Sequence, residues 1–166
     1  MAYDAFLKLA GIPGDSVDAA HKGEIQVTGF QEGLTNSSRI GSATGGAGAG
    51  KVTFQDFQFT APVSSATPKL LLACANGQHI PSATLTVRKA GAGAGKPAGL
   101  EFLKYVMTTV VVSSVTTAAA AGDDVPHEQF SLAFAKLQVT YTPQNPNGTA
   151  GTPVQTGWDL QTNKQV

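Results

Sequence analysis

The chain has 166 residues, of which 42% are hydrophobic and only 13% charged, against about 25% charged in ordinary soluble domains. That length fits one domain able to bury roughly 70% of its unfolded surface, and the apolar content excludes a chain disordered by composition. Eleven basic and eleven acidic side chains give a formal net charge of zero, which leaves no electrostatic footprint for nucleic acid or an anionic membrane and little repulsion between copies.

In chain order, Tyr3 to Leu9 reads as a first strand, followed by a turn in GIPGD at 11–15. The opening MAYDAFLKLAGIPGD has no basic leader, and Asp4 and Lys8 interrupt any apolar signal-peptide core, so synthesis in the cytoplasm is expected. Glu24 to Phe30 gives a second strand with Ile25 and Val27 on one face; a long polar, glycine-rich passage then runs from Gly33 to Gly50. Strand pattern resumes from Val52 to Thr60. There Val52 and Phe54 lie in one phase and Phe57 and Phe59 in the other, which predicts a bulge near Asp56.

A single helix follows: Thr67 can cap it, Pro68 suits its first position, LLLACA supplies helix formers and Asn76 with Gly77 stops it after two to three turns. The one cysteine, Cys74, lies in this apolar run and is expected to be a small buried residue rather than a nucleophile or a disulfide partner. Ala83, Leu85 and Val87 alternate with Thr84, Thr86 and Arg88 in the next strand. Leu100 to Val115 is long enough for an extended, twisted strand. Its apolar tract, broken by Thr108, Thr109, Ser113 and Ser114, falls short of the ~20 residues a membrane-spanning helix needs. Phe130 to Tyr141 is a further strand in which Phe130, Leu132 and Phe134 give way to Leu137, Val139 and Tyr141, a second change of phase. The tail GWDLQTNKQV adds a last strand. Curved antiparallel strands with one short helix predict a small barrel, or a sandwich rolled nearly closed, with the helix at its side or end.

The stretch SATGGAGAGKV at 42–52 carries Gly45, Gly50 and Lys51 at the spacing of a phosphate-binding loop. Val52 stands where such a loop needs a hydroxyl, and VTFQDFQFT reads as strand where it needs a helix. A second copy, AGAGAGKP at 90–97, begins with Ala90 and follows its lysine with Pro97, which has no N–H to offer. Nucleotide binding is therefore not expected, and no cofactor is implied. Glycine, without a side chain, suits hairpin tips or arms that lie flat against a neighbour's backbone. Two such contact loops are expected, one with Gly45, Gly46, Gly48, Gly50 and Lys51, the other with Gly91, Gly93, Gly95 and Lys96; slack surface loops are the alternative. His21, His79 and His127 are isolated and lack metal-ligand spacing, and Asp123 and Asp124 read as a solvated loop. No serine elbow or acid pair supports hydrolysis, so no catalytic residue, metal site or enzymatic activity is expected.

The string TPKLLLACANGQHIPSATLTVRKAG at 67–91 resembles the middle of the haemolysin-coregulated protein (Hcp) family, whose members form the tube of the bacterial type VI secretion system. MAYDAFLKLAGIPGDS, KVTFQDFQFT, VVVSSVTT, FAKLQVTYTPQ and GWDLQTNKQV resemble family segments in the same order and extend the likeness over nearly the whole chain. The resemblance implies a mainly β fold in one domain, 1–166: an antiparallel β-barrel of two curved sheets with one short flanking α-helix, assembling into a hexameric ring. Rings of that family stack into a tube, which a contractile sheath drives out behind a valine-glycine-repeat spike protein, with small effector proteins in the lumen. Export from the cytoplasm to the extracellular space or a target cell then needs no signal peptide. In the family the passage corresponding to Gly33–Lys51 projects as an arm toward the next ring or subunit; here its GGAGAG departs from the bulkier or more polar residues expected. The chain stops just after the tail motif, so a plain tube subunit without a fused toxin is expected. The helix and strand faces rich in Thr, Gln and Ser are candidates for the channel wall. A ring-forming exported carrier or chaperone that never polymerises is the alternative.

Overall fold

The computed structural model describes residues 3–38, 50–89 and 99–166. Eleven strands and one helix follow one another in these segments: β1 (Tyr3–Leu9), β2 (Ile25–Val27), β3 (Gly29–Gln31), β4 (Leu34–Asn36), β5 (Val52–Phe54), β6 (Phe57–Pro62), α1 (Thr67–Asn76), β7 (His79–Lys89), β8 (Glu101–Ala118), β9 (His127–Tyr141), β10 (Val154–Asp159) and β11 (Lys164–Gln165). Every pairing is antiparallel.

β7 lies between β1 and β8, and β8 pairs along most of its length with β9. The stretch 25–31 then closes the sheet on itself, because 25–27 pair with β1 while 29–31 pair with β6, and β6 in turn pairs with β9. Closure satisfies the backbone groups that an open sheet would leave along its edges. The expected barrel with a helix beside it is thus present, its curved halves joined in one nine-stranded ladder. Phe57 stacks on Phe59 at 4.7 Å between ring centroids, and Phe59 on Phe130 at 5.2 Å. Around them Leu7, Ile25, Leu85, Met107 and Leu132 are fully buried.

The first phase change is a break between strands, where a bulge was expected near Asp56. β5 ends at Phe54 in a two-stranded ladder with β4, a strand without a sequence signal, and β6 starts at Phe57 inside the barrel. Between them the Gln55 N–H donates to the Gly33 carbonyl at 2.9 Å. The second change falls in β9 after Leu132, where its neighbour on one side switches from β6 to β10. β8 bends with it through a positive φ at Thr109 (54°) and a bulge between Val112 and Ser114.

Helix α1 packs against β8 through Leu70 and Ala73. Ala66 takes the N-cap position without a side-chain cap; Thr67, expected there, is already helical, and its hydroxyl accepts the Ser64 N–H at 3.0 Å. Gly77 ends the helix as expected, in the left-handed conformation (φ 64°) that glycine adopts without penalty. Cys74 is half-buried against the core, short of the full burial expected.

Candidate assembly surfaces

Residues directly opposite one another in an antiparallel sheet share a face, so the register defines three rows across β7, β8, β9 and β10. These are Ala83–Met107–Leu137–Trp158, Leu85–Tyr105–Val139–Thr156 and Val87–Leu103–Tyr141–Val154. Each row starts in the barrel interior and loses cover as it runs outward. In the last, Val87 is 2% exposed, Leu103 half-buried, Tyr141 50% and Val154 68% exposed. The core-facing side of the sheet therefore reaches the surface along β10. Leu34 and Phe54 of the β4–β5 ladder overhang this seam and enclose a groove of about 420 Å³ with Tyr105, Val139 and Trp158. The Trp158 indole N–H is buried there without an acceptor, and burial, with Glu32 nearby, raises the Tyr105 pKa.

A second concavity, about 430 Å³, lies over β3, β6, β9 and β8 and is polar in lining: Gln31, Gln58, Gln129, Thr60, Thr116 and Ser131 contribute to it. The Ser131 hydroxyl meets those of Ser113 at 2.7 Å and Ser114 at 2.5 Å, the two residues of β8 brought opposite it by the bulge. This gathers Thr, Gln and Ser side chains on one face, a composition the sequence reading named without assigning particular residues.

Of the glycine-rich loops, Gly45, Gly46, Gly48, Gly91, Gly93, Gly95 and Lys96 lie outside the described residues. Gly50 and Lys51 stand at the foot of the first. Lys51 is exposed, whereas a Cβ on Gly50 would overlap the Ser37 carbonyl across the neck of the hairpin. Glycine at 50 thus answers to the chain's own backbone, and it does not single out a neighbour's.

The strand end that precedes the second loop is fastened. Arg88, paired with Glu101 across β7 and β8, reaches the carboxylates of Asp4 (3.4 Å) and Asp18 and lies 4.9 Å above the centre of the Phe6 ring. The Arg88 hydrogen bond holds the Asp18 carboxyl below its ordinary pKa despite some desolvation. His21 stacks on the other participant, Phe6, at 4.5 Å; its Nδ1 lies 2.9 Å from Glu24 and its Nε2 3.2 Å from Glu101, though outside hydrogen-bonding geometry. Lys89 adds a bond from Nζ to Gln144 at 2.5 Å. His21, isolated in sequence, is therefore part of a cluster, and only Glu24 at i+3 could have signalled it. Asp123 and Asp124 are exposed as expected, and His79 and His127 are exposed too. Among the described residues no three His, Cys, Asp or Glu side chains are grouped to hold a metal.

A closed barrel with an apolar seam, a polar trough and a braced strand end at Arg88 and Lys89 is a small β-barrel presenting surfaces suited to protein contacts. The chain belongs to the Hcp family of type VI secretion proteins: residues 6–141 match the family model described as "Type VI secretion system effector, Hcp". It is 41% identical to protein hcp1 of Pseudomonas aeruginosa over 167 residues, covering all of both chains. Among solved structures, Hcp1 from Salmonella typhimurium matches with 33% identity and a TM-score of 0.82 over 100% of both chains. A protein described as a type six secretion system protein matches with 34% identity and a TM-score of 0.89 over 99% of this chain and 100% of its own. The family and the barrel fold expected from the sequence both hold, and the protein is a tube- or effector-related component of type VI secretion. Among the described residues no helix is long and apolar enough to cross a membrane.

Proposed function

We propose that this chain is the structural subunit of the type VI tube, six copies closing into a ring and rings stacking around an open channel, with residues 1–166 acting as one domain. The observation that carries this reading is the seam: Tyr141 and Val154, on the sheet face that is interior at Val87, remain half to two-thirds exposed, Leu34 is exposed as well, and the Trp158 N–H of the same sheet face is unpartnered. Covering such a strip with the next copy removes apolar area from water. A head-to-tail contact of this kind closes into a ring when its rotation allows. Zero net charge and few charged groups present little repulsion to that approach.

The polar trough serves as channel wall, where Gln, Thr and Ser side chains offer hydrogen bonds without a large sticky surface. Gly45, Gly46, Gly48, Gly50 and Lys51 form the ring-stacking arm, and Gly91, Gly93, Gly95 and Lys96 a second contact loop braced by Arg88. The ring travels with a contractile sheath and spike protein, carries small effectors non-covalently, and binds neither nucleic acid nor membrane. It waits in the cytoplasm and leaves when the apparatus fires. It takes no cofactor and performs no reaction.

Light scattering and negative-stain microscopy of the purified protein test this reading together. Annular hexamers that lengthen into stacks at high concentration are the expected result; a monomer at every concentration and salt overturns it. Rings that never stack favour the carrier or chaperone alternative. Within the tube reading, Gly48→Leu is expected to spare the hexamer and weaken stacking, and unchanged stacks would remove the arm from the contact.

A further inference from the structure

Glu128 is the one acidic residue of the described chain with no exposed surface, and neither of its carboxyl oxygens meets hydrogen-bond geometry with any partner, although the Thr67 hydroxyl lies close enough to bias it. It sits on β9 between Ala61 of β6 and Thr117 of β8, on the same face as Phe130, at the end of the phenylalanine stack and next to the start of α1. A helix N-terminus is ordinarily a ready anion site, but here two of its donors are taken and a third is missing. The N–H groups of Ala66 and Thr67 both bond to Ser64, through its hydroxyl and its carbonyl, and Pro68 has none.

No cation compensates the carboxylate either. β6 carries no ionisable side chain, the end of β8 around Thr117 carries none, Lys69 of α1 is exposed, and the one charged group bound to the 63–67 junction among the described residues is acidic, Asp15, which accepts from the Ser65 N–H and hydroxyl. Asp123 and Asp124 in the preceding loop and His127 beside it are exposed as well. Burial raises the Glu128 pKa, and the Thr67 hydroxyl opposes that rise only in part.

We propose that Glu128 is a proton-operated latch between the barrel and the start of α1. As a neutral acid it seats beneath Thr67 and the helix stays docked; as a carboxylate it must reach water, and the 63–67 junction opens to admit it. An isolated buried charge is costly enough that the group neutralises or the structure yields. A group whose folded pKa is raised stabilises the fold fully below its unfolded pKa, about 4.3 for glutamate, and that contribution is lost as pH rises through the folded value.

Infrared spectroscopy and hydrogen exchange on the intact wild-type protein and Glu128→Gln decide the matter. A protonated-carboxyl band persisting at neutral pH is expected in the wild type and absent from the variant. Protection of α1 amides, corrected for intrinsic exchange, is expected to fall with rising pH in the wild type only, and the variant to melt higher than wild type at pH 8. A wild-type protein with no protonated carboxyl at neutral pH overturns the proposal, even if the variant fails to fold. So does an identical pH dependence of α1 protection in the two proteins.

Discussion

Replacing Val154 by Asp separates the role of the seam in assembly from any role in folding. Val154 is 68% exposed, so the substitution is expected to change the stability of the single chain by no more than about 0.5 kcal/mol. In a ring that covers the seam, the account differs. Fully burying a valine contributes about 1.5–3 kcal/mol relative to leaving it exposed, and roughly two-thirds of that remains available here, about 1–2 kcal/mol at each contact. Since the change recurs at every contact round the ring, the loss over six would be about 6–12 kcal/mol, before the cost of desolvating the new carboxylate. Gln155→Asp supplies the control, because Gln155 is exposed on the opposite face of the same strand, across from Thr140. Sedimentation velocity over a concentration series reads both. Val154→Asp is expected to run as a monomer where wild type and Gln155→Asp run as rings, with melting curves nearly superimposed under dissociating conditions. Equal ring formation by all three, or equal disruption by both variants, would refute the assignment of this face.

Truncating Phe59, 1% exposed and stacked on both sides, is expected to cost about 3–5 kcal/mol, read as a fall of about 6–20 °C in the melting temperature. Arg88→Met leaves Asp4 and Asp18 without their cation; since both carboxylates keep some solvent contact, a loss of about 1–3 kcal/mol is expected by urea unfolding. Gly50→Ala forces the hairpin neck away from Ser37 and is expected to weaken stacking with little effect on the barrel's melting temperature, as microscopy and calorimetry together would show. On the acid side, Asp18 is lowered by its Arg88 bond, Asp15 by its Ser65 bonds and Asp159 by the Thr162 N–H. Their contribution is complete above the unfolded carboxyl value of about 3.9 and lost as pH falls through the lower folded values. Asp18→Asn is therefore expected to flatten part of the acid limb below pH 4 in a circular-dichroism titration.

The alternation of Ala83, Leu85 and Val87 with Thr84, Thr86 and Arg88 made β7 legible, because one core-facing and one more polar face leave a period-two imprint. Alternation likewise marked β9, while α1 was legible from Pro68, its helix formers and the Gly77 stop, and β8 from the length of its strand-forming run. β4 left no imprint, since all three of its residues are exposed and its only partner is β5. A phase change alone does not say whether a strand bulges or hands over to another sheet. At Asp56 it marked a handover, which depends on the Gln55–Gly33 bond far away in sequence. The brace at Arg88 was hidden because its partners come from Asp4 and Asp18, 84 and 70 residues distant. Placing Glu128 inside the barrel likewise needs the pairing with Ala61 and Thr117, for HEQF at 127–130 alone gives a polar start to a strand.

The seam follows from the topology of β9. One side of that strand is shared, β6 taking residues 127–132 and β10 taking 136–141. Only β6 continues round through β3 and β2 to close the barrel, so β10 leaves it, carrying the same sheet face outward. That face cannot simply turn polar along its length, because Leu137 and Trp158 lie in the row that begins with fully buried Ala83 and Met107. Apolar side chains at the inner end are demanded by the core, and those at the outer end, Tyr141 and Val154, are demanded by nothing within the chain. Their persistence at the exposed end is what distinguishes a contact surface from the fringe of a core. It is the reason the single substitution at Val154 can test the proposed ring while leaving the barrel intact.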